Sequence, residues 1–348
     1  MNTAQDLLEA TVKSEPLWSG VDVSKEWFDA ALWPAGHSLA ASQMRDLPTR
    51  RFARTREGAR AFLEWAEQRL GATPRVVMEA TGSYSPQLAV WLLAERPASR
   101  PAIINPKTAM DVISALDPRN QTDAMAARAL ARYGMERAPS PYEPLTPERA
   151  ALRELTRYRL VVVEQRQAQQ MRLQEAGQVA LVKQMIRADI ARLKRQEKKL
   201  DEAIRAHIRS IPAMAQDIAL LRTIYGVDWI VSATVLAELG DLRRFATARQ
   251  LSAFAGTATG RKESGKSVRK RAKVCKRGSP AARRVLCMAA RCAVRGDNDW
   301  ADDYRRLVAA GKTKRAAEAA IARKMLVTMR AILISRKPYE RHYAAACA

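Results

Sequence analysis

The stretch G-V-D-V-S-K at residues 20–25 places an acid between two valines and begins an extended segment that continues to Leu32. Residues 34–36, Pro-Ala-Gly, then predict a turn, after which residues 37–47 can return as a second strand. A carboxylate inside an apolar strand is costly to bury unless it is paired or binds a metal. Asp22 therefore marks both the start of a sheet and a candidate for chemistry.

Further along the chain, strands and helices alternate. Apolar residues at helical spacing predict helices over 57–70 and 85–95, and short apolar runs predict strands at 76–78 and 102–104. Such alternation is typical of a sheet with helices packed on it. We therefore predict an α/β domain over residues 1–146.

Residues 147–210 are rich in Gln, Arg and Glu and strongly helical in pattern. A narrow apolar seam runs through their second half, interrupted by an acid at Glu197; its members are Ile186, Ile190, Leu193, Leu200 and Ile204. So narrow a seam suits an antiparallel hairpin or a dimerising coiled coil, and a simple helical spacer is the alternative. Residues 211–348 are predicted to form a helical domain.

The composition restricts the partners. The 348 residues carry 60 Lys and Arg against 36 Asp and Glu, a formal net charge of +24, yet 47% are hydrophobic, enough for real cores. A positive charge this large attracts polyanions, and phosphate groups are the usual ones. We therefore expect nucleic acid as the partner.

Cysteine usage and hydropathy exclude other classes. The four cysteines form no C-x-x-C pair and the chain has only three His. This pattern argues against a structural zinc site and favours cysteines in the reduced thiol form. No apolar run reaches the roughly 18 residues that a membrane span needs, and the first 18 residues lack a signal-like core. We expect a cytoplasmic protein without a membrane partner.

Three acids stand at the ends of apolar elements. Asp22 lies within the first strand, Glu79 ends the strand at 76–78, and Asp123 stands at the apparent start of a helix. Isolated carboxylates of this kind are what a Mg²⁺ site for phosphodiester chemistry requires, and Mn²⁺ accepts the same ligands. The alternatives are a helix-capping role for Asp123 and a surface position for Glu79.

Residues 261–284 form a second candidate, because eleven of them are Lys or Arg. Such a density of like charge predicts a nucleic-acid contact surface, whose members we take to be Arg261, Lys262, Lys266, Arg269, Lys270, Arg271, Lys273, Lys276 and Arg277. Ser264 lies among them, where neighbouring cations could stabilise attack of its hydroxyl on a phosphate. A flexible Ser-Gly turn explains the same residues, and Ser267 competes equally as nucleophile.

Several motifs resemble one family. In the first half they are G-V-D-V-S-K (20–25), M-E-A-T-G-S-Y (78–84), I-N-P (104–106) and T-D-A-M-A-A-R-A-L-A-R-Y (122–133). In the second half they are L-L-R-T-I-Y-G-V (220–227), L-A-E-L-G-D (236–241), F-A-T-A-R-Q-L-S-A-F-A-G (245–256), E-S-G-K (263–266) and K-R-G-S-P-A-A-R-R (276–284). In this order they resemble the bridge-RNA-guided transposases of the insertion-sequence-110 class.

The resemblance implies a fold and a chemistry. The first domain would have a RuvC-like, ribonuclease H-like fold with four acids binding Mg²⁺, the first three matching Asp22, Glu79 and Asp123. The middle helices would form a coiled coil joining subunits into a homo-oligomer, a dimer or, on DNA, a tetramer. Ser264 would match a serine that attacks DNA covalently, and a structured bridge RNA would pair with target and donor DNA.

One position departs from the family pattern. The helix motif T-D-x-x-D-A has Ala126 in place of its second Asp, three residues after Asp123 and so on the same helix face. A carboxylate there would complete the metal site, so we expect this chain to be impaired in strand exchange. A degenerate copy and a deliberate removal of the acid both explain the alanine, and the intact surroundings favour the second.

Two rival functions stay open at this point. The first is a junction resolvase or nuclease that uses metal-activated water, with Ser264 idle. The second is a non-catalytic nucleic-acid-binding relative, suggested by the missing acid at position 126. A covalent protein–DNA adduct separates the recombinase from the first, and strand exchange with Asp at position 126 separates it from the second.

Overall fold

A computed structural model of the chain describes residues 16–34, 43–116, 122–177, 179–264, 268–275 and 278–341. For residues 260–274 within these ranges the backbone alone is considered. The chain divides into two compact units, Met1–Pro144 and Leu145–Ala348. No helix in the described ranges is long and apolar enough to cross a membrane.

The first unit is built on a five-stranded sheet. In chain order its strands are β1 (Trp18–Val23), β2 (Trp27–Trp33), β3 (Thr49–Ala53), β4 (Arg75–Glu79) and β5 (Ala102–Ile104). Their spatial order is β3-β2-β1-β4-β5, with β1, β2 and β3 antiparallel and β1, β4 and β5 parallel. This mixed sheet is consistent with the α/β, RuvC-like fold expected from the sequence.

The strand prediction needs two corrections at the start of the sheet. The extended segment predicted from Gly20 to Leu32 is a hairpin, closed where the Ser24 hydroxyl donates to the carbonyl of Trp27 at 2.7 Å. Of the strand predicted at 37–47, residues 37–42 lie outside the described residues and Gln43–Asp46 form a short 3-10 helix; the next described strand begins at Thr49. Apolar alternation continues with a period of two on both sides of a tight turn, so it does not show where the chain reverses.

Helices cover both faces of this sheet. They are α1 (Arg56–Leu70), α2 (Tyr84–Glu95), α3 (Pro106–Leu116) and α4 (Asp123–Arg137), and they confirm the helices predicted at 57–70 and 85–95. Phe28, Phe52 and Phe62 lie in the core between the sheet and α1–α2. Trp18 and Leu130 lie in the core between the sheet and α3–α4.

The second unit begins with two long antiparallel helices, α5 (Pro147–Glu175) and α6 (Ala180–Arg209). Leu193 is 1% exposed in the part of α6 that packs along α5. Glu197, which interrupts the apolar seam, pairs with Arg159 at 3.2 Å and Arg166 at 2.9 Å, both on α5. The seam is therefore closed within one chain as a hairpin, and subunit joining by these helices stays a proposal.

Six shorter helices follow in the described part of the second unit: α7 (Pro212–Leu221), α8 (Trp229–Leu239), α9 (Ala248–Phe254), α10 (Pro280–Ala293), α11 (Asp299–Ala309) and α12 (Lys314–Ser335). Their core also takes in Leu152 of α5 and Ile204 of α6, so the hairpin is rooted in it. The helical prediction missed a two-stranded ribbon, β6 (Thr259–Ser264) and β7 (Val268–Val274). These strands carry few apolar residues, so periodicity could not indicate them.

Candidate functional site

The first strand and helix α4 lie in direct backbone contact. Gly20 permits this approach, because a Cβ there would lie 2.0 Å from the carbonyl oxygen of Ala127 and 2.2 Å from the nitrogen of Ala131. Further along the helix, the lack of a Cβ at Gly134 leaves room for the side chain of Trp18. Successive turns of α4 therefore follow β1, and the N-terminus of α4 lies toward the carboxyl end of the strand, where Asp22 is found.

Strand periodicity brings the predicted acids to the same face. Side chains alternate along a strand, and Trp18 and Val77 lie in the core beneath α4. Asp22 has the parity of Trp18, and Glu79 that of Val77. Since Val21 pairs with Met78 in the parallel register, Asp22 and Glu79 lie side by side on neighbouring strands, next to the helix that carries Asp123.

A fourth acid, Asp29, joins this group. It lies directly opposite Asp22 in the β1–β2 register and is 9% exposed. Sequence reasoning missed it, although the signal was the same as for Asp22, an acid inside an apolar strand. Two antiparallel strands thus contribute one acid each at the same level of the sheet.

Burial and the neighbouring acids raise the pKa of Asp22. Burial, then the charges of Asp123, Glu79 and Asp29, raise the pKa of Asp22 from 3.8 to about 6. Burial also raises the pKa of Glu79. The fold therefore holds negative charge where water compensates it poorly, and a bound divalent cation would relieve that repulsion.

One arginine compensates part of this charge. Arg51 lies opposite Asp29 in the β2–β3 register, and its Nη2 donates to Oδ2 of Asp29 at 2.9 Å and to Oδ2 of Asp123 at 3.0 Å. The guanidinium also lies over the ring of Trp27, 4.9 Å from its centroid. Asp29 is therefore held in an ion pair, whereas Asp22 and Glu79 have no salt bridge among the described residues.

At the start of α4, the residue that caps the helix and the candidate metal ligand are two different residues. Thr122 is the N-cap, and its hydroxyl oxygen accepts from the backbone N–H of Met125 at 3.3 Å. Asp123 is the exposed first residue of the helix, so the capping role considered for it belongs to its neighbour. Ala126 follows one turn later, half-buried. Its methyl group stands where the family pattern has a carboxylate.

Carboxylate oxygens are the donors that Mg²⁺ and Mn²⁺ prefer, so the donor set fits a hard cation. Asp22, Glu79 and Asp123 are the residues that would hold it. Across the described ranges, no three His, Cys, Asp or Glu side chains lie close enough together to hold an ion. The donor chemistry of these residues fits such a cation, and their role as metal ligands stays a prediction.

The predicted nucleophile lies at the end of the ribbon. Ser264 is the last residue of β6 and pairs with Val268 at the start of β7; residues 265–267, including the competing Ser267, lie outside the described residues. The predicted contacts on the strands are Arg261, Lys262, Arg269, Lys270, Arg271 and Lys273, whereas Lys266, Lys276 and Arg277 fall outside the described residues.

The strand pairing itself concentrates positive charge. Lys262 and Lys270 occupy directly opposite positions in the β6–β7 register. Like charges placed opposite each other are destabilising unless an anion lies nearby. The phosphate backbone of a nucleic acid carries a continuous row of negative charges, which could lie along two basic strands.

Two residues of the distal motifs have a structural role instead. Glu238 of α8 pairs with Arg157 of α5 and accepts from the hydroxyl of Ser279 at 2.8 Å. Ser279 also caps α10, accepting from the N–H of Ala282 at 3.1 Å. These contacts connect the three helices α5, α8 and α10.

Two family profiles match the chain, and the first of them ends beyond the boundary between the two units. Residues 19–185 match the profile of the DEDD transposases of the IS110 group, and residues 218–305 match the transposase family described as IS116/IS110/IS902. The chain belongs to this transposase family. The first match contains all three candidate acids, and the second contains Ser264.

Two known proteins resemble this chain over most of its length. The pilin gene-inverting proteins of Moraxella bovis and Moraxella lacunata are each 26% identical to it over 325 residues. The similarity covers 92% of this chain and 97% of each relative. It therefore extends over both units, including residues 186–217 between the two profile matches.

Proposed function

We propose that this transposase exchanges DNA strands through a covalent phosphoserine intermediate at Ser264, assisted by a Mg²⁺ site at Asp22, Glu79 and Asp123. A structured bridge RNA that pairs with target and donor DNA would direct it. The observation that carries the proposal is the group of acids on one sheet face, within the DEDD transposase match. Phosphodiester chemistry is what such carboxylates serve in DNA-processing enzymes.

The proposed step conserves the phosphodiester bond. The Oγ of Ser264 forms a bond to phosphorus, the bond from phosphorus to the leaving deoxyribose oxygen breaks, and that oxygen takes up a proton. The reverse step with a new strand end releases the serine, so no ATP is needed. A bound Mg²⁺ would supply positive charge at the phosphate. The lysines and arginines of the β6–β7 ribbon (the basic ribbon) would hold the DNA strand.

Assembly is part of the proposal, because the serine and the acids belong to different units. As the family resemblance implies, the acids of one subunit would meet Ser264 of another in a homo-oligomer. The turn of the α5–α6 hairpin offers a surface for association: its exposed apolar side chains are Met171, Val179, Leu181, Val182 and Met185. Exposed apolar clusters of this kind mark association sites.

A covalent-adduct assay tests the central step. We expect Ser264→Ala to abolish the protein–DNA adduct seen on denaturing gels with matched RNA and DNA, because only the attacking hydroxyl is lost. RNA binding should be unchanged. Ser267→Ala is the matched control and should retain the adduct.

The assay also separates the rivals. Cleavage that persists without an adduct in both variants would indicate a nuclease that uses water. An adduct surviving in Ser264→Ala would refute the assignment of the nucleophile. RNA recovered with the purified protein and sequenced tests guidance, and absence of any specific RNA would contradict it.

A further inference from the structure

Helix α6 separates its charges onto two sides. Its acids Glu197 and Asp201 point toward α5, where Arg159 pairs with both and Arg166 pairs with Glu197. The cations of α6 point the other way and are exposed: Arg187, Lys194, Arg195, Lys198, Lys199, Arg205 and Arg209. None of these seven has a salt bridge to a residue in the described ranges. Packing of the hairpin therefore leaves one side of α6 strongly positive.

Five of these cations fall on one line. Arg187, Lys194, Lys198, Arg205 and Arg209 follow one another at intervals of seven, four, seven and four residues. At 100° per residue such intervals keep side chains within a narrow stripe of the helix surface. Glu202 is the exposed acid beside this stripe, and Arg205 is steadied over the ring of Trp229 at 4.5 Å.

The length of the stripe matches a specific partner. From Arg187 to Arg209 the stripe spans about 33 Å at 1.5 Å per residue. One turn of duplex DNA is about 34–36 Å long, so both ends of the stripe can reach phosphates one turn apart. A second copy of the chain is a poor occupant, because two such faces would repel each other.

We propose that this stripe, the α6 stripe, binds the backbone of duplex DNA, at a surface separate from the basic ribbon and from the acids. The partner is identified by charge and length: a straight, rigid row of unpaired cations fits a regular polyanion. Positioning of a duplex outside the reacting strand is the role that follows. This inference goes beyond the proposed chemistry, since it holds whether or not Ser264 is the nucleophile.

Salt-dependent DNA binding tests the α6 stripe in the full chain. Lys194→Gln/Lys198→Gln removes two stripe cations. The matched control, Arg192→Gln/Arg305→Gln, also removes two cations, but each of these is already paired with an acid three residues earlier, at 3.3 Å for Arg192–Asp189. Both pairs of changes are made in a Ser264→Ala background, so that binding is measured without chemistry.

Affinity for a 30-base-pair duplex is measured by fluorescence anisotropy over a range of salt concentrations. Each phosphate contact contributes about −0.9 to the slope of log K against log salt concentration. The stripe variant loses two such contacts, so the magnitude of its slope should fall by roughly 1.8. The control should leave it unchanged. Helical content measured by circular dichroism should be the same for all variants.

Three results would overturn the assignment. An unchanged slope in the stripe variant would show that these lysines contact no phosphate. An equal fall in the control would show a general effect of net charge. An equal or larger fall on an RNA hairpin of the same length would show that duplex DNA is not the partner.

Discussion

The two units of the molecule handle charge in opposite ways. In the first, four neighbouring elements bring Asp22, Asp29, Glu79 and Asp123 together at one end of a sheet, and a single guanidinium balances part of their charge. In the second, Glu197 and Asp201 of α6 pair with arginines of α5, and most cations of α6 are exposed. Concentrated, partly buried anions suit a small cation, whereas a row of exposed cations suits a long polyanion. Under the two proposals, the first would be a site for chemistry and the second a surface that holds the DNA.

The largest expected effect comes from completing the acid group. Ala126→Asp adds a carboxylate on the same face of α4 as Asp123. If the lost ligand costs about 3 kcal/mol in the transition state, the added acid should raise strand exchange roughly 100-fold. Recombination with matched RNA and DNA at several Mg²⁺ concentrations measures this. Ala124→Asp, on a different face of the helix, is the control. Equal rates for the original chain and Ala126→Asp at limiting Mg²⁺ would mean that position 126 does not contact the metal.

The next effect tests how the fold brings α4 to the acids. In Gly20→Ala the new methyl group would overlap the backbone of α4, so the helix must shift and carry Asp123 away from Asp22. Overpacking of this kind costs about 1–3 kcal/mol, measurable by urea unfolding. Gly177→Ala is the control, because nothing lies within 4 Å of a Cβ there. A stability equal to that of the original chain would show that α4 adapts and that its close approach is not required.

A smaller effect follows from the raised pKa of Asp22. The pKa of Asp22 is about 6 in the folded chain and 3.8 ordinarily, so the folded chain holds this proton more tightly. The resulting contribution to the free energy of unfolding is fully present below pH 3.8 and is lost as pH rises through 6. Asp22→Asn cannot ionise and should be about 1 kcal/mol more stable than the original chain at pH 7.5 without divalent ions, allowing for solvent screening.

Thermal unfolding at pH 3.5 and pH 7.5 checks this difference, with Glu202→Gln, an exposed acid of α6, as the control. Mg²⁺ should stabilise the original chain at pH 7.5 and have little effect on Asp22→Asn. If Asp22→Asn is the less stable protein at pH 7.5, the description of the acids as mutually repelling is wrong.

The smallest effect on stability is expected at the hairpin turn. Leu181 and Met185 are 64% and 63% exposed, so Leu181→Glu/Met185→Glu should leave the melting temperature unchanged. If the turn joins subunits, light scattering should report a smaller particle. Leu193→Glu, at a position 1% exposed, should instead destabilise the hairpin by several kcal/mol. If light scattering reports the same particle mass for the turn variant as for the original chain, the hairpin turn does not join subunits.

Local pattern was enough to predict much of this protein. Helical spacing identified α1 and α2, short apolar runs identified β4 and β5, and motifs in a fixed order identified the family. Acids inside or beside apolar strands singled out Asp22 and Glu79, because an unpaired carboxylate conflicts with its apolar neighbours wherever the strand is placed. These features depend on residues a few positions apart, which a sequence displays directly.

Tertiary structure decided the rest, because it depends on pairings between distant residues. The register of β1 with β2 placed Asp29 opposite Asp22, and the register of β2 with β3 brought Arg51 to both Asp29 and Asp123. Packing of α6 on α5 determined which charges were neutralised and which remained as the α6 stripe. The sequence by itself determined the kinds of elements and the family. Which charges meet, and which face outward, was decided only when distant elements packed, since no local periodicity records the partner of a strand or a helix.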